Sequence, residues 1–315
     1  MNAVLIPFFL AARVAVDSPW EHGPEYVFQV HVNSTAIPEE GSYVSIRLNV
    51  ASKLVCQPKE LHVLSCHFRD SKADSFVTES LDPGVPAVPI SQVSRQEAYE
   101  INQDQFEIKF TAQGLDSLVV NENIQPRELD MIRVIVGQLN IRAVIGEYEE
   151  TFELMENFTQ GECVTVFTVE KNIVEEGLRA NRGYELETVF DLREDQLVQI
   201  RKIRNLYMCM HKVPYVFGSS ESLSQVSDVV STVSSSESHI VITSTEFISG
   251  TTNVITTNKV SEGAVTTLYE NISLRLVSIV PADGEPPELK DAEPASMFIG
   301  RWLSDGFQGD DPSME

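Results

Sequence analysis

A spacing of two between apolar residues returns along most of this chain and gives way to a helical spacing at only one place. In residues 26–32, Tyr26, Phe28, Val30 and Val32 alternate with Val27, Gln29 and His31. That rhythm turns one face of a strand toward a core. Val44, Ile46, Leu48 and Val50 repeat it in a longer strand that runs to about Cys56. Gln57-Pro58-Lys59-Glu60 then breaks the run, and Leu64, Cys66 and Phe68 lie on the return strand of a hairpin. Phe106, Ile108 and Phe110 mark another strand, and residues 118–120 a short one. Residues 148–154, 164–169 and 183–190 read as strands, as do 239–248, 251–260 and 264–280, which are rich in Val, Ile and Thr. Residues 71–104 are polar, carry Pro83, Pro86 and Pro89, and read mostly as loop.

The exception begins at Pro126. Leu129, Ile132, Ile135, Val136 and Leu139 share one side of a helix, Arg133 lies just outside it, and Met131 and Val134 add apolar residues elsewhere. A helix apolar on most sides is a buried one. Proline suits its first turn, where an N–H would have no partner, and Glu128 suits the positive end of the dipole. The β-branched residues 134–136 leave a buried strand as the other reading. Many strands and one buried helix predict a mainly β fold, an antiparallel barrel-like sheet wrapped around one central helix, because closure removes exposed edges.

Residues 192–206 fit either a strand or a short charged helix. Ten of the twenty residues in 219–238 are serine, a composition that buries too little apolar surface to order itself, so a mobile loop is expected. The tail, 282–315, is acidic and reads as mostly disordered, with a docking element at Met297, Phe298, Ile299, Trp302 and Leu303. The expected organisation is a leader at 1–16, a body at 17–218, the serine-rich loop at 219–238, last strands at 239–281 and the tail.

Residues 3–12 form a ten-residue apolar run, too short to span a bilayer but fitting a signal peptide. Pro7, Arg13 and the lack of a preceding basic residue depart from that pattern, and a buried first strand is the alternative. No other segment is long and apolar enough for a membrane helix. Sequons at Asn33, Asn157 and Asn271 and an even count of four cysteines lean toward a secreted, extracellular glycoprotein with two disulfides.

Lys plus Arg number 23 against 47 Asp plus Glu, a net charge of −24, which repels phosphate backbones and makes nucleic acid a poor partner. The chain has no nucleophile elbow, phosphate loop or dinucleotide glycine pattern, so neither an enzyme nor a cofactor is expected. Cys56, His62, Cys66 and His67 are metal-ligand types, but their spacing matches no zinc finger. A disulfide between Cys56 and Cys66, or two buried thiols, on neighbouring hairpin strands is preferred to a metal site. Cys163 and Cys209 are the other pair, and spacing alone does not join them. Arg201, Lys202 and Arg204, followed by His211 and Lys212, are the densest basic stretch. On a strand, Lys202 and Arg204 point the same way, after Val198 and Ile200 on that face. Such a row offers a handle to an acidic partner or pairs with Glu176, Glu185 or Asp191.

Several segments resemble one family in order. Residues 20–30, WEHGPEYVFQV, resemble the W-x-x-G-x-E-Y-x-Y/F-x-V opening of vitellogenins and related large lipid-transfer proteins. Residues 128–139, ELDMIRVIVGQL, are similar to the E-V/L-N-x-x-K-x-I-x-S-Q-L of insect members, with Asp130 for asparagine and Arg133 for lysine. Residues 155–163, MENFTQGEC, resemble M-E-x-x-x-x-G-E-C. Residues 200–206, IRKIRNL, with Cys209 three further on, resemble L-T-K-T-K-D/N-L-x-x-C, and 248–250 with 256–260 resemble an I-S-G and T-T-N-K pair.

The resemblance implies the family's N-terminal barrel, strands around one helix. It implies a Cys163–Cys209 disulfide and a strand over 200–209. It also implies that Arg201, Lys202 and Arg204 belong to a surface that engages a vitellogenin-receptor-like protein, an endocytic receptor with acidic repeats. Lys202 and Arg204 match the pattern's two lysines, whereas Arg201 and Ile203 replace small polar residues, which puts the same recognition in doubt. Family members continue into a helical horseshoe and further sheets that line a lipid cavity. This chain ends soon after the barrel, so an interaction module without bulk lipid carriage is the first expectation. A lipid transporter or nutrient-reservoir protein is the second.

Overall fold

The computed structural model describes residues 2–6, 10–14, 20–39, 44–60, 62–79, 88–92, 101–111, 114–141, 150–173, 183–188, 196–210, 213, 215, 217–218, 229–261 and 263–299. In chain order the strands are β1 (Asn2–Ile6), β2 (Leu10–Val14), β3 (Pro24–Pro38), β4 (Val44–Glu60), β5 (Val63–Glu79), β6 (Val88–Gln92), β7 (Phe106–Thr111) and β8 (Gly114–Asn121). Helix α1 (Pro126–Val136) and a 3-10 turn (Gly137–Leu139) follow. Then come β9 (Glu150–Phe158), β10 (Gly161–Ile173), β11 (Tyr184–Thr188), β12 (Gln196–Met210), β13 (Val229–Thr243), β14 (Phe247–Lys259), β15 (Ala264–Pro281) and β16 (Ala292–Ser296).

Thirteen strands make one antiparallel sheet in the order β16-β8-β7-β5-β4-β3-β15-β14-β13-β12-β10-β9, with β6 beside β5, while β1, β2 and β11 form a small second sheet. The period-two residues do what their spacing predicts. Tyr26, Phe28, Val30 and Val32 on β3, and Ile272, Leu274 and Leu276 on β15, all face one core. The helix lies against the inner face, where Leu129, Ile132, Ile135, Val136 and Leu139 are buried. Its start follows from Pro126 at the first turn and Glu128 near the positive pole.

The mainly β expectation holds, but the sheet curves around the helix without closing into a barrel. Its end strands, β9 and β16, do not pair among the described residues. After Ser296 the chain turns Met297 and Ile299 into the core instead of extending a ladder. What spans the gap is sparse: the Ile299 N–H donates to the Thr159 carbonyl at 2.9 Å. Arg133, buried rather than just outside the helix's inner face, donates from Nε to the Ser296 carbonyl at 2.8 Å.

The structure bears on five other expectations. The ambiguous stretch 192–206 is strand from Gln196 onward. The polar region 71–104 is not mostly loop at its start, because β5 runs to Glu79 paired with β4, and β6 adds an edge. The serine-rich segment is ordered from Val229, where β13 lies between β12 and β14 and buries Val233, Ser236 and Ser238. Residues 219–228 lie outside the described residues. In the tail, residues 292–296 pair with β8, which satisfies that strand's outer edge, and Ala295 is buried. Residues 300–315, with Trp302 and Leu303, lie outside the description. The apolar run near the start forms a hairpin, β1 with β2, against β11, the strand alternative for that run.

Candidate functional site

The sheet's inner face is apolar over most of its area and polar along one line. Register places Thr165 of β10 opposite Arg204 of β12, Ser236 of β13 opposite Asn253 of β14, Asn253 opposite Glu270 of β15, and Glu270 opposite Ser34 of β3. All six are buried. A parallel line holds Lys202, Ser238 and Thr251 on successive strands. These polar residues fall on inward positions of strands whose other inward positions are Val, Ile, Leu and Phe.

Most members have a hydrogen-bond or ion-pair partner, as buried polar groups require. Lys202 Nζ donates to Glu156 Oε1 at 2.7 Å and to the Asn140 carbonyl at 2.6 Å. Arg204 Nε lies 3.2 Å from Glu156 Oε2. Arg204 Nη1 donates to Ser236 at 3.2 Å and to Ser238 at 2.9 Å. Ser236 donates to Asn253 Oδ1 at 2.8 Å, and Asn253 Nδ2 donates to Glu270 Oε2 at 3.4 Å. Thr251 donates to Gln138 Oε1 at 2.9 Å, which ties the row to the end of the helix. Lys202 stands over the Phe167 ring at 5.2 Å and Arg204 over the Phe158 ring at 4.7 Å, where the ring faces favour a cation. A cavity of about 190 Å³ opens beside the row, and Gln138, Glu156, Gln160, Arg204, Asn253 and Met297 are among its lining residues.

The two carboxylates behave oppositely. Burial alone would raise the Glu156 carboxyl, but Arg204 and then Lys202 outweigh it and hold the group below the usual range. Glu270 has no such cation among the described residues, and burial pushes it up to about 7 against the donors Phe217 N–H and Asn253.

Of the basic residues expected to face a partner together, Lys202 and Arg204 point inward and are 1 % and 8 % exposed. They are therefore corrected from surface contacts to core ion-pair members. The periodicity carried the signal, since Val198 and Ile200 precede them on the same face and that face is the core. Arg201 points outward, with half its side chain exposed, and pairs with Glu237 at 3.0 Å. His211 and Lys212 lie outside the described residues. Sequence reasoning missed Glu156 and Glu270 as site residues, because nothing local distinguishes a buried glutamate from an exposed one.

On the outer face the register builds a different line. Arg201 lies opposite His239, His239 opposite Gly250, Gly250 opposite Ser273, Ser273 opposite His31, His31 opposite Ala51, and Ala51 opposite Lys72. Arg201, His239, His31 and Lys72 are exposed. The middle of the line stays flat at Gly250, where a Cβ would meet the Ile272 carbonyl oxygen at 3.2 Å. The sequon residues Asn33 and Asn271 are direct cross-strand partners one row away, and Asn157 lies on the end strand β9; all three are exposed.

Cys56–Cys66 and Cys163–Cys209 are both disulfides. The first joins the hairpin strands β4 and β5 and takes both thiols of the metal-type cluster. Among the described residues no group of three or more His, Cys, Asp or Glu is placed to hold a metal ion, and no helix is long and apolar enough to cross a membrane. Opposite Val164, residues 205–208 of β12 bulge out of the ladder just before Cys209. The bulge leaves Tyr207 fully exposed and Met208 largely so.

A family model described as the vitellogenin N-terminal domain matches residues 20–280. No curated protein sequence matches the chain. Among solved structures, one described as lipid–protein interactions in lipovitellin superposes with a TM-score of 0.59 at 12% identity. That match covers 91% of this chain and 28% of the other, so the chain spans under a third of the structure it resembles.

Proposed function

The chain belongs to the vitellogenin N-terminal domain family, and from that premise we propose that it is a secreted interaction module of a lipid-transport protein, binding an acidic partner through the outer face of its sheet. The observation that carries this reading is the line of Arg201, His239, His31 and Lys72 across seven strands. On a molecule of net charge −24 with its histidines neutral, the fixed cations of the line are Arg201 and Lys72, which steer an acidic partner to one face, while His239 and His31 offer N–H donors beside them. A carboxylate-rich repeat of a vitellogenin-receptor-like endocytic receptor fits this chemistry. Lys202 and Arg204 serve the surface indirectly by holding β12 in place. The two disulfides support export to an oxidising compartment, where glycans at Asn33, Asn157 and Asn271 would be added.

The test is binding to an immobilised ectodomain of such a receptor. Arg201→Glu with Lys72→Glu is expected to weaken binding at least tenfold and to reduce its salt dependence, with an unchanged melting temperature. Wild-type affinity in that variant would remove the outer line from the proposal.

A second reading, direct lipid contact, is favoured by the outward apolar residues Met155, Tyr207, Met208 and Met210 near Cys163–Cys209. Native mass spectrometry before and after organic extraction distinguishes it: lipid that co-purifies with wild type and is lost with Tyr207→Ser and Met208→Ser supports it. Lipid-free wild type excludes it.

A further inference from the structure

Beside the cationic line, the outer face of the sheet carries a second line centred on three amides. Thr252 of β14 lies opposite Asn271 of β15, Asn271 opposite Asn33 of β3, Asn33 opposite Asn49 of β4, and Asn49 opposite Asp74 of β5. All five are exposed. Asn271 Nδ2 donates to Thr252 Oγ1 at 3.0 Å. Among the described residues no hydrogen bond joins the side chains of Asn271, Asn33 and Asn49, so the three do not form a closed amide ladder.

Two of the three begin a sequon, Asn33-Ser34-Thr35 and Asn271-Ile272-Ser273. They stand far apart in the chain, yet the β15–β3 register makes them direct cross-strand partners. Both side chains point away from the core, because Val32 and Ser34 on β3 and Glu270 and Ile272 on β15 take the buried positions. A side-chain amide has two N–H donors, so a sugar on Asn271 leaves one for Thr252.

The pair sits near the middle of the outer face. His31 and Ser273 of the cationic line are two residues away on the same strands. By ordinary strand spacing and rise, Arg201 is about 16 Å from Asn271 and Lys72 about 12 Å from Asn33. An N-linked sugar is bulky and spreads over the surface around its root, so both cations lie within its cover. Asn157 is on the end strand β9, about 22 Å from Arg201 on the same reckoning and farther from Lys72.

We propose that N-linked sugars on the opposed pair Asn33 and Asn271 gate the outer face, closing the line from Arg201 to Lys72 to a protein partner when either is present and opening it when both are absent. The inference rests on the reading of that line as the partner surface. The block is steric: a neutral sugar leaves both cations charged and excludes a folded domain from them. Cross-strand partners have side chains rooted about 5 Å apart, so one sugar covers what two cover and the sites act together, not additively.

The test uses the full chain secreted from a glycosylating cell and the immobilised receptor ectodomain. Peptide mass mapping is expected to find sugar at Asn33, Asn271 or both, and wild type that carries none overturns the gate. Asn33→Gln with Asn271→Gln is expected to bind at least tenfold more tightly than wild type, and Asn157→Gln as wild type does. Where both sites are occupied, either single change should leave binding near the wild-type level. A double variant no tighter than wild type, or an equal gain from Asn157→Gln, overturns the gate. Should the double variant fail to fold, trimming folded wild type with an endoglycosidase that leaves one sugar on each asparagine makes the same comparison. Arg201→Glu with Lys72→Glu on the sugar-free background separates the two claims. Loss of binding there, with wild type as tight as the double variant, removes the gate and keeps the outer line. Binding that survives there removes the outer line, and the gate falls with it.

Discussion

Lys202 Nζ and Glu156 Oε1 lie 2.7 Å apart, their side chains 2 % and 1 % exposed, beneath a sheet whose outer face was expected to display that lysine. Such a pair adds little net stability over well-packed apolar residues, because both ions are taken from water, but breaking it is costly.

Glu156→Gln removes the carboxylate that lies between two buried cations, Lys202 and Arg204. We expect a loss of about 3–5 kcal/mol in urea unfolding. The triple change Glu156→Leu, Lys202→Met, Arg204→Leu should recover most of it, since no charge is then left buried. A triple variant as unstable as Glu156→Gln would mean that packing, not charge, holds this corner.

The Cys163–Cys209 bridge closes a separation of 46 residues and Cys56–Cys66 one of 10. In the chain-entropy account, cross-links of those spans stabilise by about 4 and about 3 kcal/mol. Replacing Cys163 and Cys209 with alanine should therefore cost more than replacing Cys56 and Cys66, and paired melting curves read the order directly.

Global stability should fall as pH rises toward neutral at the Glu270 site. The folded state keeps this proton up to about 7 and the unfolded chain loses it near 4.5. The contribution is therefore complete below 4.5 and gone above 7. Its size is on the order of 3 kcal/mol. Glu156 acts in the other sense, its held-down carboxyl costing stability as the pH falls through the acid range. Denaturant midpoints at pH 5 and pH 8 should differ less in Glu270→Gln than in wild type.

Arg201→Glu alone should leave the unfolding midpoint within about 0.5 kcal/mol of wild type, because an exposed pair such as Arg201–Glu237 contributes little. Lys202→Glu, at the next residue and on the opposite face of β12, should unfold the protein under the same conditions. Circular dichroism of the two variants separates the faces of β12 without any partner present.

The strands at residues 26–32, 44–56 and 106–110 and the helix from Pro126 were legible in the sequence because a period of two or 3.6 is a local property. That Cys56 and Cys66 lie on neighbouring strands was legible too, because a hairpin brings its own strands together; that they are joined came from the structure. Segments whose order comes from neighbours were not: β13 is one-third serine yet ordered, since β12 and β14 supply its backbone partners on both sides. The closure of the sheet was over-read. A need to cover edges does not say how, and β16 with Arg133 and Ile299 covers them with core packing and two hydrogen bonds.

By itself the sequence determined the alternation, the helix, the acidic charge and, given a strand there, that Lys202 and Arg204 share a face with Val198 and Ile200, for these depend on spacing and composition. Only the tertiary structure decided what those residues meet. Glu156 reaches Lys202 across 46 residues and Glu270 receives the Phe217 N–H across 53. Whether a buried carboxylate meets cations, as Glu156 does, or neutral donors, as Glu270 does, is set by the strands beside it, and strand order is a property of the folded sheet.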